Sequence, residues 1–325
     1  MKRLCLAALL LSFCSIGICR DNPEPGQGFI DVPGGPVWYK VTGTGSGIPV
    51  LALHGGPGGT SCGFALLDLL GDKRPVIRYD QLGGGRSGRP DDVSLWTVER
   101  FVEELHFLRK KLGLKQMHLL GHSWGAALAA AYVLEKGTEG IASVIFSSPY
   151  LSTLKWIEDA NFQRSQLPED VQQTLTEHEK AGTTDSEEYE AASEVYYERH
   201  AYAGKRPDPL AECKDAPGSQ FIYEFMWGPQ EFYATGTLVN FDVTDRLHEI
   251  HVPVLFMTGE FDEARPETVA GFQQLIPGSQ FTVIAGAGHS SLRKKPEEYR
   301  VILEGFLESL GSEEQKVLES EYRPE

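Results

Sequence analysis

The chain has 325 residues, of which 41% are hydrophobic, and its 35 glycines and 19 prolines suit one large α/β domain with an insertion, or two lobes. Acidic residues outnumber basic ones by 46 to 30, which gives a formal net charge of −16. This composition excludes a disordered chain, and so acidic a surface disfavours nucleic acid and anionic membranes as partners.

The first 19 residues differ in kind from the rest. Lys2 and Arg3 precede an apolar run that ends at Cys19 and is too short for a comfortable membrane span, which predicts a secretory signal peptide. A lipoprotein anchor is the alternative, but bulky residues stand before Cys14 and Cys19, where a small one is needed. Removing the segment takes away two basic and no acidic residues, so the mature charge becomes −18. We therefore expect a periplasmic or secreted protein without a stable membrane anchor.

Three of the five cysteines lie in this segment, which leaves Cys62 and Cys213 in the exported protein. They could form one disulfide in an oxidising compartment, but sequence alone does not show whether they are close. No Cys and His spacing resembles a zinc site, and neither a metal nor an organic cofactor is expected.

The mature chain begins with strand-like segments that lead into glycine-rich loops. Residues 28–41 predict a hairpin, and residues 49–53 form an apolar run typical of a strand buried on both faces. The run ends in HGGPGG at His54, where backbone N–H groups could approach a ligand atom and supply half of an oxyanion hole. A plain turn is the alternative.

Residues 75–79 predict the next buried strand, which runs into DQLGGGRS at Asp80. Its polar side chains are better explained as cross-links within a charged turn than as catalytic groups. Residues 97–112 then show an apolar stripe with helical spacing and charged residues on the opposite side.

The sequence MHLLGHSWGAA, residues 117–127, joins an apolar strand-like start to an Ala-rich helical pattern through a Gly-x-Ser-x-Gly motif. Glycines at Gly121 and Gly125 are needed where a strand turns directly into a helix, and the strained turn pushes the Ser123 hydroxyl outward. The pattern predicts a nucleophile elbow. The alternative is an ordinary turn with a helix-capping serine.

The alternation of strands and helices stops after a strand at residues 142–147 and resumes at residues 252–257. We expect an α/β core from residues 20–150 and 237–310, an inserted helical cap at 151–236, and a charged tail at 311–325 that frays. Between residues 158 and 198 the cap has 12 acidic residues against 2 basic ones. This charge is typical of a solvated face, although it would also favour a cationic substrate.

Two polar residues in the second half complete a catalytic constellation. Asp262 follows the strand at 252–257, and His289 lies in a glycine-flanked loop after the last strand. The order Ser123, Asp262, His289 is that of the α/β-hydrolase triad, in which the imidazole takes the serine proton and the carboxylate fixes the imidazole. Glu260 is the rival for the acid, but Asp262 falls deeper in the loop.

Five segments together resemble the proline iminopeptidase family of serine peptidases: HGGPGG at His54, DQLGGGRS at Asp80, GHSWGAA at Gly121, MWGPQEF at Met226 and GEFDEARP at Gly259. The similarity extends from about residue 28 to 310. It implies an α/β-hydrolase fold, mostly a parallel doubly wound sheet with a helical cap, and an enzyme that removes an N-terminal residue, often proline, from short peptides.

The resemblance also implies roles for individual residues. Glu231 and Glu263 match the glutamates that hold the free amino group of the substrate, and the N–H groups of Gly56 and Trp124 match the oxyanion donors. The aromatic side chains of Trp124 and Phe232 are expected to line the pocket for the first residue. The partners are then short peptides or amino-acid derivatives with a free N-terminus.

Two other functions stay open at this point. An amino-acid amidase or esterase would keep the triad and differ in its leaving group. A binding protein that reuses the fold would not need the full triad and both glycine-rich loops.

Overall fold

Eight strands form a single mixed sheet in the computed structural model, which describes residues 22–321 and the side chains of 22–310. The sheet order is β1-β2-β4-β3-β5-β6-β7-β8. The β1–β2 and β2–β4 pairs are antiparallel, and all later pairs are parallel. The strands are β1 Gly26–Val32, β2 Gly35–Thr42, β3 Val50–Leu53, β4 Val76–Tyr79, β5 Met117–His122, β6 Ile141–Ser147, β7 Val254–Gly259 and β8 Gln280–Ile284.

Helices cover both faces of the sheet, as the uninterrupted apolar strands require. They are α1 Val98–Lys111, α2 Trp124–Lys136, α3 Thr153–Arg164, α4 Glu169–Ala181, α5 Glu187–His200, α6 Gln220–Met226, α7 Pro266–Gln274, α8 Ser291–Lys294 and α9 Pro296–Glu321. Neighbouring strand residues point to opposite faces: Leu119 packs with α1 and α2, whereas Leu120 packs with α9 and the 3₁₀ segment Ser61–Asp72. The predicted α/β-hydrolase fold is confirmed.

Four helices, α3 to α6, lie between β6 and β7, where the sequence predicts the cap. We call residues 151–236 the lid. Part of the lid has a small apolar core of its own, in which Leu175, Tyr189, Tyr196 and Phe232 are buried. This separate core explains why the segment is ordered although it adds no strand to the sheet.

The chain end differs from the expectation. The final helix continues to Glu321 instead of ending near Leu310. The physical reason is composition: the segment after Gly311 is rich in Glu, Gln, Lys and Leu, which favour helix, and the next proline is Pro324. The predicted signal peptide lies outside the described residues. No helix within the described part of the chain has the length and apolar character needed to cross a bilayer.

A disulfide joins Cys62 to Cys213, a pairing that the sequence left open. The two Cα atoms are 5.2 Å apart although 151 positions separate them. Cys62 belongs to the 3₁₀ segment after β3, and Cys213 lies between α5 and α6. The bond therefore fastens the lid to the core.

Candidate active site

Ser123 occupies the sharp turn between β5 and α2. Its backbone has φ 55° and ψ −122°, a strained conformation for a residue with a side chain, and its N–H donates to the Ser147 carbonyl at 3.1 Å. A Cβ on Gly121 would lie 2.2 Å from the Gly125 carbonyl oxygen, and one on Gly125 would lie 2.0 Å from the Leu53 oxygen. Only glycine fits at both places, so the strand and helix can meet closely around the serine.

Asp262 lies fully buried after β7 and accepts four hydrogen bonds. His289 Nδ1 is 2.8 Å from Oδ1, which also accepts from the Ala264 N–H at 3.0 Å. The Ser148 hydroxyl and the Gly259 N–H donate to Oδ2 at 2.7 and 2.9 Å. Burial alone would raise the pKa of Asp262, but the charge of His289 and these hydrogen bonds outweigh it and lower the pKa. The carboxylate is therefore ionised and fixed in position.

Glu260, the rival acid, lies on the exposed side of the same loop. Its carboxylate accepts from the Gly286 N–H at 2.9 Å and thus supports the loop that precedes His289. Ser148, by contrast, holds the acid directly, and sequence reasoning missed it. Its only signal was its position immediately after β6, next to the other catalytic strand ends.

His289 lies between the elbow and the lid. Its ring packs against that of His122, with centroids 4.7 Å apart, and edge-on against Trp156 at 5.4 Å. Burial would lower the pKa of His289, but the charges of Asp262 and two nearby glutamates prevail and raise it to about 9. Burial and the neighbouring His289 lower the pKa of His122 to about 3, so His122 stays neutral. Asp262 therefore orients the ring of His289 and stabilises its protonated form.

The glycine-rich loop after β3 lies directly over the nucleophile. A Cβ on Gly55 would lie 3.0 Å from Ser123 Cβ, and Gly56 has φ 122°, a conformation that glycine adopts readily and other residues rarely. Trp124 is the first residue of α2, so its N–H is free of the helix ladder. The predicted oxyanion donors, Gly56 and Trp124, therefore flank the serine from two elements.

Gln81 buttresses both sides of this arrangement. Its side-chain amide donates to the His54 carbonyl at 3.1 Å and accepts from the Trp124 indole N–H at 2.9 Å. Its backbone N–H donates to His54 Nε2 at 2.9 Å. Burial lowers the pKa of His54, so the ring is a neutral acceptor here. His54 is thus a structural support of the loop.

Glu263 and Glu231 face the histidine from the core and from the lid. Glu263 is 2% exposed, its Oε2 lies 3.9 Å from His289 Nδ1, and its Oε1 has no hydrogen-bond partner among the described residues. Burial raises the pKa of both carboxyls, and the charge of Glu231 raises that of Glu263 further. The charge of His289 acts in the opposite direction and favours the ionised form of both carboxyls. Ionising both carboxyls is unfavourable without a neutralising partner, so the pair favours a bound cation.

The pocket aromatics differ from the predicted pair. Trp124 packs edge-on against Phe101 in the core, and Phe232 packs against Tyr196 in the lid, so neither lies where the sequence placed it. Periodicity does not say which way a loop or elbow side chain turns. The ring beside the histidine is Trp156, and Tyr150 and Trp227 meet Trp156 and each other edge to face at 5.2 to 6.2 Å. Of these, only Trp227 belonged to a recognised motif.

Comparison with known proteins agrees with this geometry. The family model described as alpha/beta hydrolase fold matches residues 48–296. A proline iminopeptidase of Heyndrickxia coagulans is 46% identical over 286 residues, covering 87% of this chain and 99% of its own, and one of Lactobacillus helveticus is 36% identical over 87% and 97%.

Two solved structures extend the similarity to three dimensions. VinJ superimposes with a TM-score of 0.81 at 34% identity, covering 88% of this chain and all of its own. The proline iminopeptidase of Mycobacterium smegmatis gives a TM-score of 0.78 at 33% identity over 88% and 98%. The chain belongs to the proline iminopeptidase family of α/β hydrolases.

Proposed function

We propose that the protein is a serine aminopeptidase that releases an N-terminal residue, preferably proline, from short peptides. The observation that carries this proposal is the pair Glu263 and Glu231 beside His289, because two such carboxyls favour a bound ammonium group. The relatives named proline iminopeptidase support the same activity.

The reaction follows from the positions of the side chains. Glu263 and Glu231 bind the substrate ammonium, which sets the first carbonyl against Ser123. His289 takes the Ser123 proton, the Oγ–carbon bond forms, and the Gly56 and Trp124 amides stabilise the oxyanion. The carbon–nitrogen bond then breaks as His289 protonates the leaving amine. Water hydrolyses the acyl-enzyme by the same route and restores the serine.

The aromatic wall supports a preference for proline. Trp156 stands edge-on to the histidine, with Tyr150 and Trp227 packed beside it, and such a cluster of rings suits a compact apolar ring such as pyrrolidine. The secondary ammonium of proline still offers two N–H donors for two carboxylates.

A substrate panel tests the proposal. The anilides of proline, alanine and leucine are compared with N-acetylproline anilide, prolinamide and a short-chain aryl ester, with Ser123→Ala as the blank. We expect the proline anilide to be cleaved fastest and the acetylated one to resist. Equal cleavage of free and acetylated anilides would overturn amine recognition, and a preference for the amide or ester would indicate an amidase or esterase.

We further propose that the protein is exported to the periplasm or the medium. The basic start and apolar run of residues 1–19 support this, and a disulfide suits an oxidising compartment. Fractionation of expressing cells with N-terminal sequencing should find a chain that starts near Arg20 outside the cytoplasm. A cytosolic product that retains Met1 would contradict the proposal.

A further inference from the structure

The lid contacts the backbone of the loop that carries the acid. Gln163 on α3 is 4% exposed, and its Nε2 donates to the Asp262 carbonyl oxygen at 2.6 Å. The Tyr196 hydroxyl, on α5, donates to Gln163 Oε1 at 2.7 Å. Two lid helices therefore converge on a single peptide group of the catalytic core.

The same end of the lid also contacts the loop that carries His289, the base. The carbonyls of His200 and Ala201 accept from the N–H groups of His289 and Ser290, both at 2.8 Å. A Cβ on Gly288 would lie 2.4 Å from the His200 oxygen, so the two backbones are in close contact. Both catalytic loops are thus bonded to the lid.

The position of the Gln163 contact matters because of peptide planarity. The carbonyl that Gln163 holds belongs to the peptide unit between Asp262 and Glu263, and that unit is rigid. Its orientation sets the direction of Asp262 toward His289 on one side and of Glu263 on the other. The Asp262 carboxylate has further supports in the core, whereas Glu263 Oε1 has no hydrogen-bond partner among the described residues.

We propose that Gln163 is a positioning residue that orients the Asp262–Glu263 peptide and thereby sets the amine-binding carboxylate relative to the catalytic triad. This inference rests on the proposed function, since it assigns Glu263 to the substrate amine. It makes the docked lid part of the machinery that selects substrates.

The test compares Gln163→Met with Gln172→Met. Gln172, on α4, also uses its side-chain amide on backbone carbonyls, those of Leu167 at 2.8 Å and Ser165 at 3.3 Å, but both lie inside the lid. For each variant, kcat and KM are measured on proline anilide and on an aryl ester without an amine. Labelling of Ser123 by a fluorophosphonate and the melting temperature are measured in parallel.

We expect Gln163→Met to lower kcat/KM for proline anilide about 10- to 100-fold, with a smaller loss on the ester, because a buried hydrogen bond is lost at the amine side. Gln172→Met should keep the wild-type ratio of anilide to ester activity. The proposal would be overturned if Gln163→Met kept the wild-type ratio of anilide to ester activity, or if this ratio fell equally in Gln163→Met and Gln172→Met. The ester and labelling rates do not depend on aminopeptidase activity, so a failed peptidase assignment would be seen separately in the wild-type protein.

If Gln163→Met does not fold, Tyr196→Phe tests the proposal in its place. It removes the hydroxyl that orients Gln163 and leaves the ring in the lid core. We expect a smaller change in the same direction, about threefold in the anilide-to-ester ratio. A wild-type ratio in folded Tyr196→Phe would overturn the proposal in that case.

Discussion

The sheet and the lid contribute differently to the active site. The sheet supplies every predicted reacting group from the carboxyl ends of its parallel strands, and the elbow there is so closely packed that Gly121 and Gly125 have no space for a methyl group. The lid contributes Glu231, Trp156 and the hydrogen bonds that hold the catalytic loops. We therefore expect the core to determine the reaction and both parts together to determine which substrate is accepted.

The lid is attached to the core at several places, two of which differ in kind. One is the contact with the catalytic loops, and the other is a linker, residues 205–219, in which Glu212 accepts from buried Arg78 at 2.5 Å, next to the disulfide of Cys213. The linker then reaches the glycine loop, where the Ser219 N–H donates to the Gly58 carbonyl at 2.7 Å. Substitutions in each region should therefore separate chemistry, substrate choice and stability.

The largest expected effect comes from the core nucleophile. Ser123→Ala should lower kcat by at least about 10⁴-fold on every substrate, amine-bearing or not, because no other group can form the acyl-enzyme. Its melting temperature should stay near that of the wild type, since the Ser123 side chain makes no capping hydrogen bond to α2. Steady-state assays and thermal melts check this, and substantial remaining turnover would remove Ser123 from the mechanism.

Substitutions of the two glutamates at the amine site, one in the core and one in the lid, should distinguish amine recognition from the chemical step. Glu263→Gln on the core side and Glu231→Gln on the lid side should each lower kcat/KM for proline anilide by about 100-fold, as expected when one partner of a buried charge pair is lost. On an aryl ester the loss should stay below about tenfold. Equal losses on both substrates would show that the glutamates serve the fold or the triad instead.

The disulfide tests how far stability depends on the linker. The double variant Cys62→Ser/Cys213→Ser should lose about 2–5 kcal/mol of stability. The reason is that the unfolded chain regains the conformational freedom that a cross-link between residues 151 positions apart removes. For a domain of this size that loss of stability corresponds to a fall of about 5 to 15 °C in melting temperature. Calorimetry with and without reductant checks this. The double variant should not respond to reductant, and a wild type that also does not respond would contradict the role.

The smallest effect is a shift in pH dependence. The negative charges around His289 raise its pKa to about 9, and the base must be neutral, so kcat/KM should rise with pH through the alkaline range. Glu263→Gln removes one of those charges, which lowers the pKa of His289 and moves the rise to lower pH, by less than about one unit. The profile is measured with an aryl ester.

Glu260, three residues before Glu263, provides a control for this shift. Glu260→Gln changes an exposed carboxylate of the same loop that contacts Gly286, so it should leave the profile in place. Bound ammonium would offset the charges of the two glutamates. The rise of kcat for proline anilide should therefore lie at lower pH than that of kcat/KM, and coinciding curves would argue against the ammonium site.

Local patterns predicted the catalytic framework, and the structure joins two of its members, Asp262 and His289, by a hydrogen bond. Gly-x-Ser-x-Gly between a strand and a helix, an acid after a later strand and a histidine after the last strand identify Ser123, Asp262 and His289, because the carboxyl ends of parallel strands meet at one edge of the sheet. The motifs MWGPQEF and GEFDEARP also pointed to Glu231 and Glu263, although only through resemblance.

The tertiary structure alone decided which side chains surround that framework. The sequence assigned Trp124 and Phe232 to the pocket, but their rings turn into the core and the lid, and Trp156 and Tyr150 take the place beside the catalytic groups. The direction of a side chain and the docking of a lid depend on contacts between segments far apart in the chain, which periodicity does not encode. The bond from Cys62 to Cys213 and the contact of Gln163 with Asp262 belong to the same class.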